Sequence, residues 1–175
     1  MRKLKYHLAS TLDGSISRRD GAYDFFPMEG THVDDYLAEL RSSYGAVLMG
    51  RRTYEPALRA GVTDPYPWLD TYVFSRTMKE SPNPRVNLVS EDPMGLVRRL
   101  KEQDGNDLYL AGGSTLATTL LEAGLVDEVI VKLNPILLGE GVPLVRELGS
   151  AMRLDLLSTK VHANGVVVLR YAVVQ

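Results

Sequence analysis

The 175-residue sequence contains no cysteine, which excludes disulfides, thiolate metal centres and a cysteine nucleophile. Histidine is nearly as scarce. His7, His32 and His162 stand far apart without ligand spacing, so the pattern offers no zinc site. There is no excess of positive charge either: 20 Lys and Arg against 22 Asp and Glu leave a formal net charge of −2. That balance argues against a protein that grips nucleic acid through a broad basic surface. No apolar run approaches the ~20 residues of a membrane-spanning helix. The opening MRKLKYHLAS is charged and lacks the apolar stretch of a signal peptide. A cytoplasmic protein with neither a membrane nor a nucleic-acid partner is expected. GxGxxG and GxxxxGKS/T are both missing, which disfavours an ordinary Rossmann domain and a P-loop nucleotide hydrolase. What is present, 45% hydrophobic and 24% charged residues, suits one globular domain over residues 1–175.

Periodicity divides the chain into alternating elements. Residues 3–10 read as a first strand, followed by the glycine-bearing loop TLDGSISRRDGAYDFF, whose Arg18, Arg19 and Asp20 suit a solvated tip. A helix is expected over 31–44, capped by Thr31 with Asp34 in a box-like position and with Val33, Tyr36, Leu37 and Leu40 as its apolar side. Short strands are expected at 46–49, 71–75, 86–89 and 108–111, with helices at 53–60 and 93–103. In LYLAGGSTLATTLLEAGLVDEVIV, residues 108–131, an apolar strand stops at two glycines. A helix with Leu116, Leu120, Leu121 and Leu125 follows, ends near Gly124 and gives way to a strand at 126–131. Residues 134–143 form a loop rich in glycine and proline, with GEGVP as a structural turn. Strands at 153–162 and 165–174 pair through Ala163-Asn164-Gly165. Strands alternating with helices and then a terminal hairpin predict an α/β fold, a mixed but mainly parallel sheet with an antiparallel C-terminal edge.

In such sheets ligands collect beyond the carboxyl ends of the parallel strands. The strand exits here are Ala9-Ser10-Thr11-Leu12-Asp13-Gly14, Gly50-Arg51-Arg52-Thr53, Ser75-Arg76, and Gly112-Gly113-Ser114-Thr115 after Ala111. Each offers glycine, hydroxyl or arginine, and together they describe a pocket for an extended, phosphorylated ligand. Arginine forks and helix N-termini both suit phosphate oxygens. The Gly112-Gly113 pivot is either a tight turn or a place where a ligand approaches the backbone.

The ordered set ASTLDG, VLMGRRTYE, VFSR, LYLAGGSTLATTLLEAGLVDEVIV and PILLGEGVPL resembles the dihydrofolate reductase-like superfamily. Within it, the chain is similar over nearly its whole length to the reductase domain of the bifunctional riboflavin-biosynthesis deaminase/reductase and its stand-alone relatives. The resemblance implies a mixed sheet flanked by helices, NADPH as hydride donor, a small heterocyclic substrate and a homodimer. It also implies that Gly112, Gly113, Ser114, Thr115 and Leu116, after Ala111, line the cofactor's pyrophosphate across a Gly-Gly peptide that is often cis. Gly50, Arg51 and Thr53 would hold it from the other side, Ser75 and Arg76 would meet the adenosine 2′-phosphate, and Ala9 and Ile16 would border the nicotinamide.

The implied reaction is that of a 5-amino-6-(5-phosphoribosylamino)uracil reductase, with Asp34 or Asp13 as candidate proton donors. Ser15 stands where the riboflavin reductases commonly carry a basic residue, the cysteines of a deaminase domain are missing, and the only tryptophan, Trp68, lies away from the first loop and helix. A dihydrofolate or pterin reductase, a non-catalytic NADPH-binding protein and a partner-binding domain are the alternatives.

Overall fold

The computed structural model describes residues 1–174. Its order is β1 (Leu4–Thr11), β2 (Ser15–Ser17), α1 (Thr31–Ser42), β3 (Tyr44–Gly50), α2 (Arg51–Arg59), β4 (Asp70–Phe74), β5 (Val86–Val89), α3 (Pro93–Glu102), β6 (Asp107–Gly112), α4 (Ser114–Glu122), β7 (Glu128–Asn134), β8 (Val142–Pro143), β9 (Leu154–Val161) and β10 (Val167–Val173). Eight strands form one sheet in the order β5-β4-β3-β6-β1-β7-β10-β9. The six from β5 to β7 run parallel, and β10 and β9 add an antiparallel edge. This is the expected α/β architecture, including the terminal hairpin. Gly165, at φ 83°, completes the hairpin turn, donating its N–H to the His162 carbonyl.

The parallel strands are covered on both faces, which is why they read as near-continuous apolar runs. Alternation still sorts their side chains. Leu4, Tyr6 and Leu8 of β1, Ala46 and Leu48 of β3, and Leu108 and Leu110 of β6 pack beneath Val97 and Leu100 of α3 and Ala117, Leu120 and Leu121 of α4. The opposite face carries Val47 and Met49 of β3, Val73 of β4 and Tyr109 of β6, beneath Leu40 of α1 and Tyr54 of α2.

Three local expectations change. Thr31 does not cap α1: the cap position is Gly30, with no side-chain cap bond, and Thr31 is the first helical residue. Its Oγ1 bonds instead to Nδ1 of His162 at 2.9 Å, a tertiary partner that displaces the local capping bond. Leu37, expected on the buried side of α1, is 39% exposed, because that stripe faces an open cleft. The glycine-rich segment after β7 also holds a short strand, β8, paired antiparallel with β2 in a second, two-stranded sheet.

Candidate functional site

The carboxyl ends of β1, β3, β4 and β6 open into a cleft of about 1360 Å³. The residues that the resemblance set against a cofactor all lie on its wall: Ala9, Ile16, Gly50, Arg51, Thr53, Ser75, Arg76, Ala111, Gly112, Gly113, Ser114, Thr115 and Leu116; of the exit after β1, residues 10–14 do not. The sheet order explains the convergence. β3 and β6 are neighbours, with Met49 opposite Gly112, so the turns into α2 and α4 emerge side by side.

Those two turns form one end of the cleft. The N-caps of α2 and α4 are Gly50 and Gly113, and neither helix has a side-chain cap bond. The first N–H groups of both helices have no intrahelical partner, the residues that carry them line the cleft, and the positive end of each helix dipole lies there. A methyl group placed on Gly112 or Gly113 would come to 3.7 or 3.5 Å from Thr53 Oγ1, so the glycines keep this hydroxyl and the backbone open to a close ligand. Gly112 has φ 121°, and the Gly112–Gly113 peptide is cis. Arg146, distant in sequence, lines the same end and donates from Nε to Ser114 Oγ at 3.2 Å. One strand over, Ser75 Oγ accepts the N–H groups of Thr77 and Met78 and so shapes the turn. The exposed Arg76 makes no ion pair among the described residues, whereas Arg51 lies 3.4 Å from Glu55. Two bare helix N-termini, a threonine hydroxyl and guanidinium groups suit a diphosphate.

The other end is lined by aromatic rings and one amine. Tyr36 from α1, Tyr66 and Tyr109 from β6 sit there with Lys132 and Asn134 of β7. The Tyr36 and Tyr109 hydroxyls share a hydrogen bond of 2.7 Å. Burial holds both phenols well above the ordinary tyrosine value, so they are neutral groups that can donate or accept. Lys132 Nζ stands 3.3 Å from the centroid of the Tyr36 ring. Burial pulls its pKa down to about 8, opposed only by the charge of Glu39. Glu39 is itself bound bidentately by Arg170, through both guanidinium nitrogens. His7, beneath this end on β1, is held well below the usual imidazole value by burial, then by the positive charges of Lys132, Arg170 and Lys5.

The two candidate acids stand apart from these walls. Asp13 belongs to the turn after β1, where its carboxylate accepts from Thr11 Oγ1 and from the N–H groups of Leu138 and Gly139. Those bonds, Thr11's foremost, lower its pKa and tie the β1–β2 turn to the segment after β7. Asp34 is exposed in the first turn of α1. Neither lines the cleft. Ser15 is buried against the loop, with its N–H donating to Thr11 Oγ1, while Ile16 and Ser17 reach the cleft wall. Trp68 lies outside, stacked under Arg41 and edge-on to Tyr66. Arg19 and Asp20 of the charged tip reach the cleft rim.

Sequence reasoning missed the ring end. Tyr36 read as one more apolar residue of α1, and the tyrosines come from separate elements. The available signal was Lys132, a charge that interrupts the apolar run of Val129, Ile130, Val131 and Leu133 in the strand EVIVKLN.

Comparison with known proteins agrees with this architecture. The family model of the RibD C-terminal domain matches residues 2–168. The chain belongs to the RibD C-terminal domain family. Among curated relatives, the uncharacterized Bacillus subtilis proteins YwjB and YyaP are 29% and 30% identical over 94% and 97% of this chain, spanning 95% and 94% of their own lengths. The riboflavin biosynthesis protein RibD of Mycobacterium tuberculosis is 31% identical over 81% of the chain, which covers 44% of that longer protein. A protein of Shewanella sp. PV-4 assigned to riboflavin biosynthesis superposes with TM-score 0.85 at 28% identity, each chain covered in full. Two further crystal structures share the fold. The deaminase/5-amino-6-(5-phosphoribosylamino)uracil reductase of Thermotoga maritima gives a TM-score of 0.72 at 16% identity, covering 99% of this chain and 57% of that one. Enterococcus faecalis dihydrofolate reductase, complexed with NADP(H), gives 0.73 at 14%, covering 99% and 97%. The family is one of reductases acting on small heterocycles. No helix among the described residues is long and apolar enough to cross a membrane.

Proposed function

We propose that the protein is an NADPH-dependent reductase acting on a small heterocycle of the 5-amino-6-(5-phosphoribosylamino)uracil type. The observation that carries this reading is the two-ended cleft. Two uncapped helix N-termini with Gly50, Gly112 and Gly113 stand at one end, and neutral phenols with an amine stand at the other. The first end is complementary to a dinucleotide's pyrophosphate, held by the N–H groups after Gly50 and Gly113 and by Thr53 and Ser114. Arg76 and Ser75, on the same cleft wall, would meet a 2′-phosphate and so distinguish NADPH from NADH. When bound, the dihydronicotinamide supplies a hydride. Ala9 and Ile16 would border the nicotinamide and exclude water, while Tyr36, Tyr66 and Tyr109 would orient the acceptor ring.

The test is calorimetric titration with NADPH, NADH and NADP⁺, followed by turnover of the ribosylaminouracil and of dihydropterins. Micromolar NADPH binding is expected, weaker NADH binding, and a loss of about tenfold for NADPH alone in Arg76→Ala, the size of one charge-assisted contact. Binding of none of the three ends the reductase reading. Turnover of a pterin in place of the uracil establishes the second reading, a pterin reductase. The packing of Ser15 favours it, since this residue, at the position commonly basic in the riboflavin reductases, is neutral and does not line the cleft. Dinucleotide binding without turnover of either leaves a non-catalytic NADPH-binding protein. An Asp34→Asn variant with unchanged rate and pH dependence removes Asp34 as proton donor, and Asp13→Asn applies the same test to the first loop.

We assign this reductase unit to residues 1–175, act of turnover in the cytoplasm, and a homodimer formed through β9. That strand is exposed along its whole length and presents Leu156 and Leu157 at 58% and 53% exposure on an open sheet edge. Light scattering of the wild type and of Leu156→Glu reports on the dimer.

A further inference from the structure

Reduction by hydride needs a proton as well, and the ring end of the cleft holds a group suited to deliver it. Lys132, with His32 and Tyr36, lines two cavities at once: the large cleft, and a cavity of about 70 Å³ lined also by the polar groups of His7, Asp35, Glu39 and Arg170. The small cavity has room for roughly two waters. We propose that Lys132 donates the proton to the reduced substrate, and that the polar cavity behind it returns that proton from solvent. The inference rests on the reductase reading above.

The acceptor carbon gains a hydride from the reduced nicotinamide, and the π pair of its C=N or C=O bond moves onto the heteroatom. That heteroatom takes a proton from Lys132 Nζ, leaving a neutral amine, which a proton relayed from bulk solvent through the cavity recharges. One NADPH and one proton are consumed for each molecule reduced.

The electrostatic surroundings make Lys132 the fitting member of this cluster. Burial holds Tyr36 and Tyr109 well above the ordinary tyrosine value, which makes them weak acids near neutrality. His7, from β1, is held neutral, and His32 of α1 bonds through Nε2 to the Pro27 carbonyl and through Nδ1 to Asn164. The remaining charges are matched, Glu39 of α1 with Arg170 of β10 and Asp35 of α1 with Lys160 of β9. Among the described residues Lys132 alone of the cavity's cations has no ion pair. With no carboxylate partner, and with burial drawing its pKa to about 8, the ammonium can release its proton near neutrality and be recharged.

The experiment has two arms. In the first, protein labelled with ¹³Cε-lysine is titrated by NMR with and without NADP⁺, the Lys132 signal being assigned by its loss in Lys132→Arg. A midpoint near pH 8 that moves when NADP⁺ binds is expected; an ordinary lysine midpoint above 10, unaffected by NADP⁺, overturns the inference without reference to any substrate. In the second, turnover of the ribosylaminouracil and of dihydropterin is followed from pH 6 to 10. The wild-type kcat is expected to fall above pH 8. Lys132→Met should lose at least about 100-fold in kcat and the alkaline limb with it, the size expected for a lost general acid, while its NADP⁺ affinity changes far less, by no more than the linkage that the NMR shift reports. Lys132→Arg keeps the charge but does not give up its proton, so rescue by arginine shows a purely electrostatic role and overturns the proposal. A wild type that binds NADP⁺ but turns over neither probe counts against the reductase reading, and the NMR arm then decides Lys132 on its own.

Discussion

The two faces of the central sheet are built differently. Beneath α3 and α4 the buried side chains are nearly all aliphatic: Leu4, Leu8, Leu48, Leu108, Leu110, Leu120 and Val126. Beneath α1 the same strands bury His7, Tyr44 and Tyr109, and next to them stand Lys132 and the Glu39–Arg170 pair. His7 Nδ1 lies 3.2 Å from the Tyr44 hydroxyl, and its ring meets the edges of Tyr36 and Tyr109. Aliphatic burial stabilises in proportion to the area removed from water. Buried polar groups offset that gain with desolvation and return it only where every partner is present. The aliphatic face thus stabilises the fold, while the tyrosine face holds groups whose protonation and hydrogen bonding serve the cleft.

Substitutions on the two faces should separate these roles. Leu108→Ala, at a fully buried site of the aliphatic face, is expected to cost about 2–5 kcal/mol in denaturant unfolding, with dinucleotide affinity of the folded fraction unchanged. Lys132→Met is expected to act in the opposite direction. The folded-state pKa of Lys132 lies below the unfolded value of 10.5, so below pH 8 both states are protonated and the folded state bears the full penalty of a desolvated charge. That penalty disappears as pH rises from about 8 to 10.5, so wild-type stability should rise across this window. At pH 7 the methionine variant should be more stable by about 2 kcal/mol, allowing for the solvent that reaches the side chain. A stability gain coupled to a loss of turnover is the mark of a functional group held at a structural cost.

His7→Gln tests the acid side. His7 has a depressed folded pKa, so the unfolded chain takes up a proton first as pH falls below about 6.5. The wild type should lose at most about 2 kcal/mol from this group between pH 6.5 and 5, and the variant should lack that part of the acid slope. The smallest effect is expected from Tyr36→Phe, which removes the 2.7 Å bond to Tyr109 and leaves the ring: about 1 kcal/mol in stability, with a larger change in substrate KM than in NADPH affinity.

Much of the sheet was legible because it alternates strongly apolar strands with helices of helical spacing. Val86–Val89 coincides with its expected bounds, and the other main strands and helices lie within two residues of theirs except at the end of β7, expected at 131 and found at Asn134. The short strands β2 and β8 were not legible, because three and two residues carry no period. The exit residues from Ala9 to Leu116 were identifiable as a group because glycine, hydroxyl and arginine recur after successive strands, and the sheet order then set them on one wall. Arg146 was not, since it comes from the irregular segment after β8 and reaches Ser114 across 32 positions in sequence. Thr31 misled for a related reason: a capping residue is a local signal, and His162, 131 positions away, offers its hydroxyl a different partner.

The sequence by itself determined the alternation of elements, the parallel sheet with its antiparallel edge, and the glycines at the turns into α2 and α4, because hydrophobic period and backbone freedom act over a few residues. Only the tertiary structure decided which charges remain unpaired. Glu39 is matched to Arg170 and Asp35 to Lys160 across elements more than a hundred residues apart, leaving Lys132 alone between a cleft and a polar cavity. Ion pairing and desolvation depend on distances through space, and only the folded chain sets those distances.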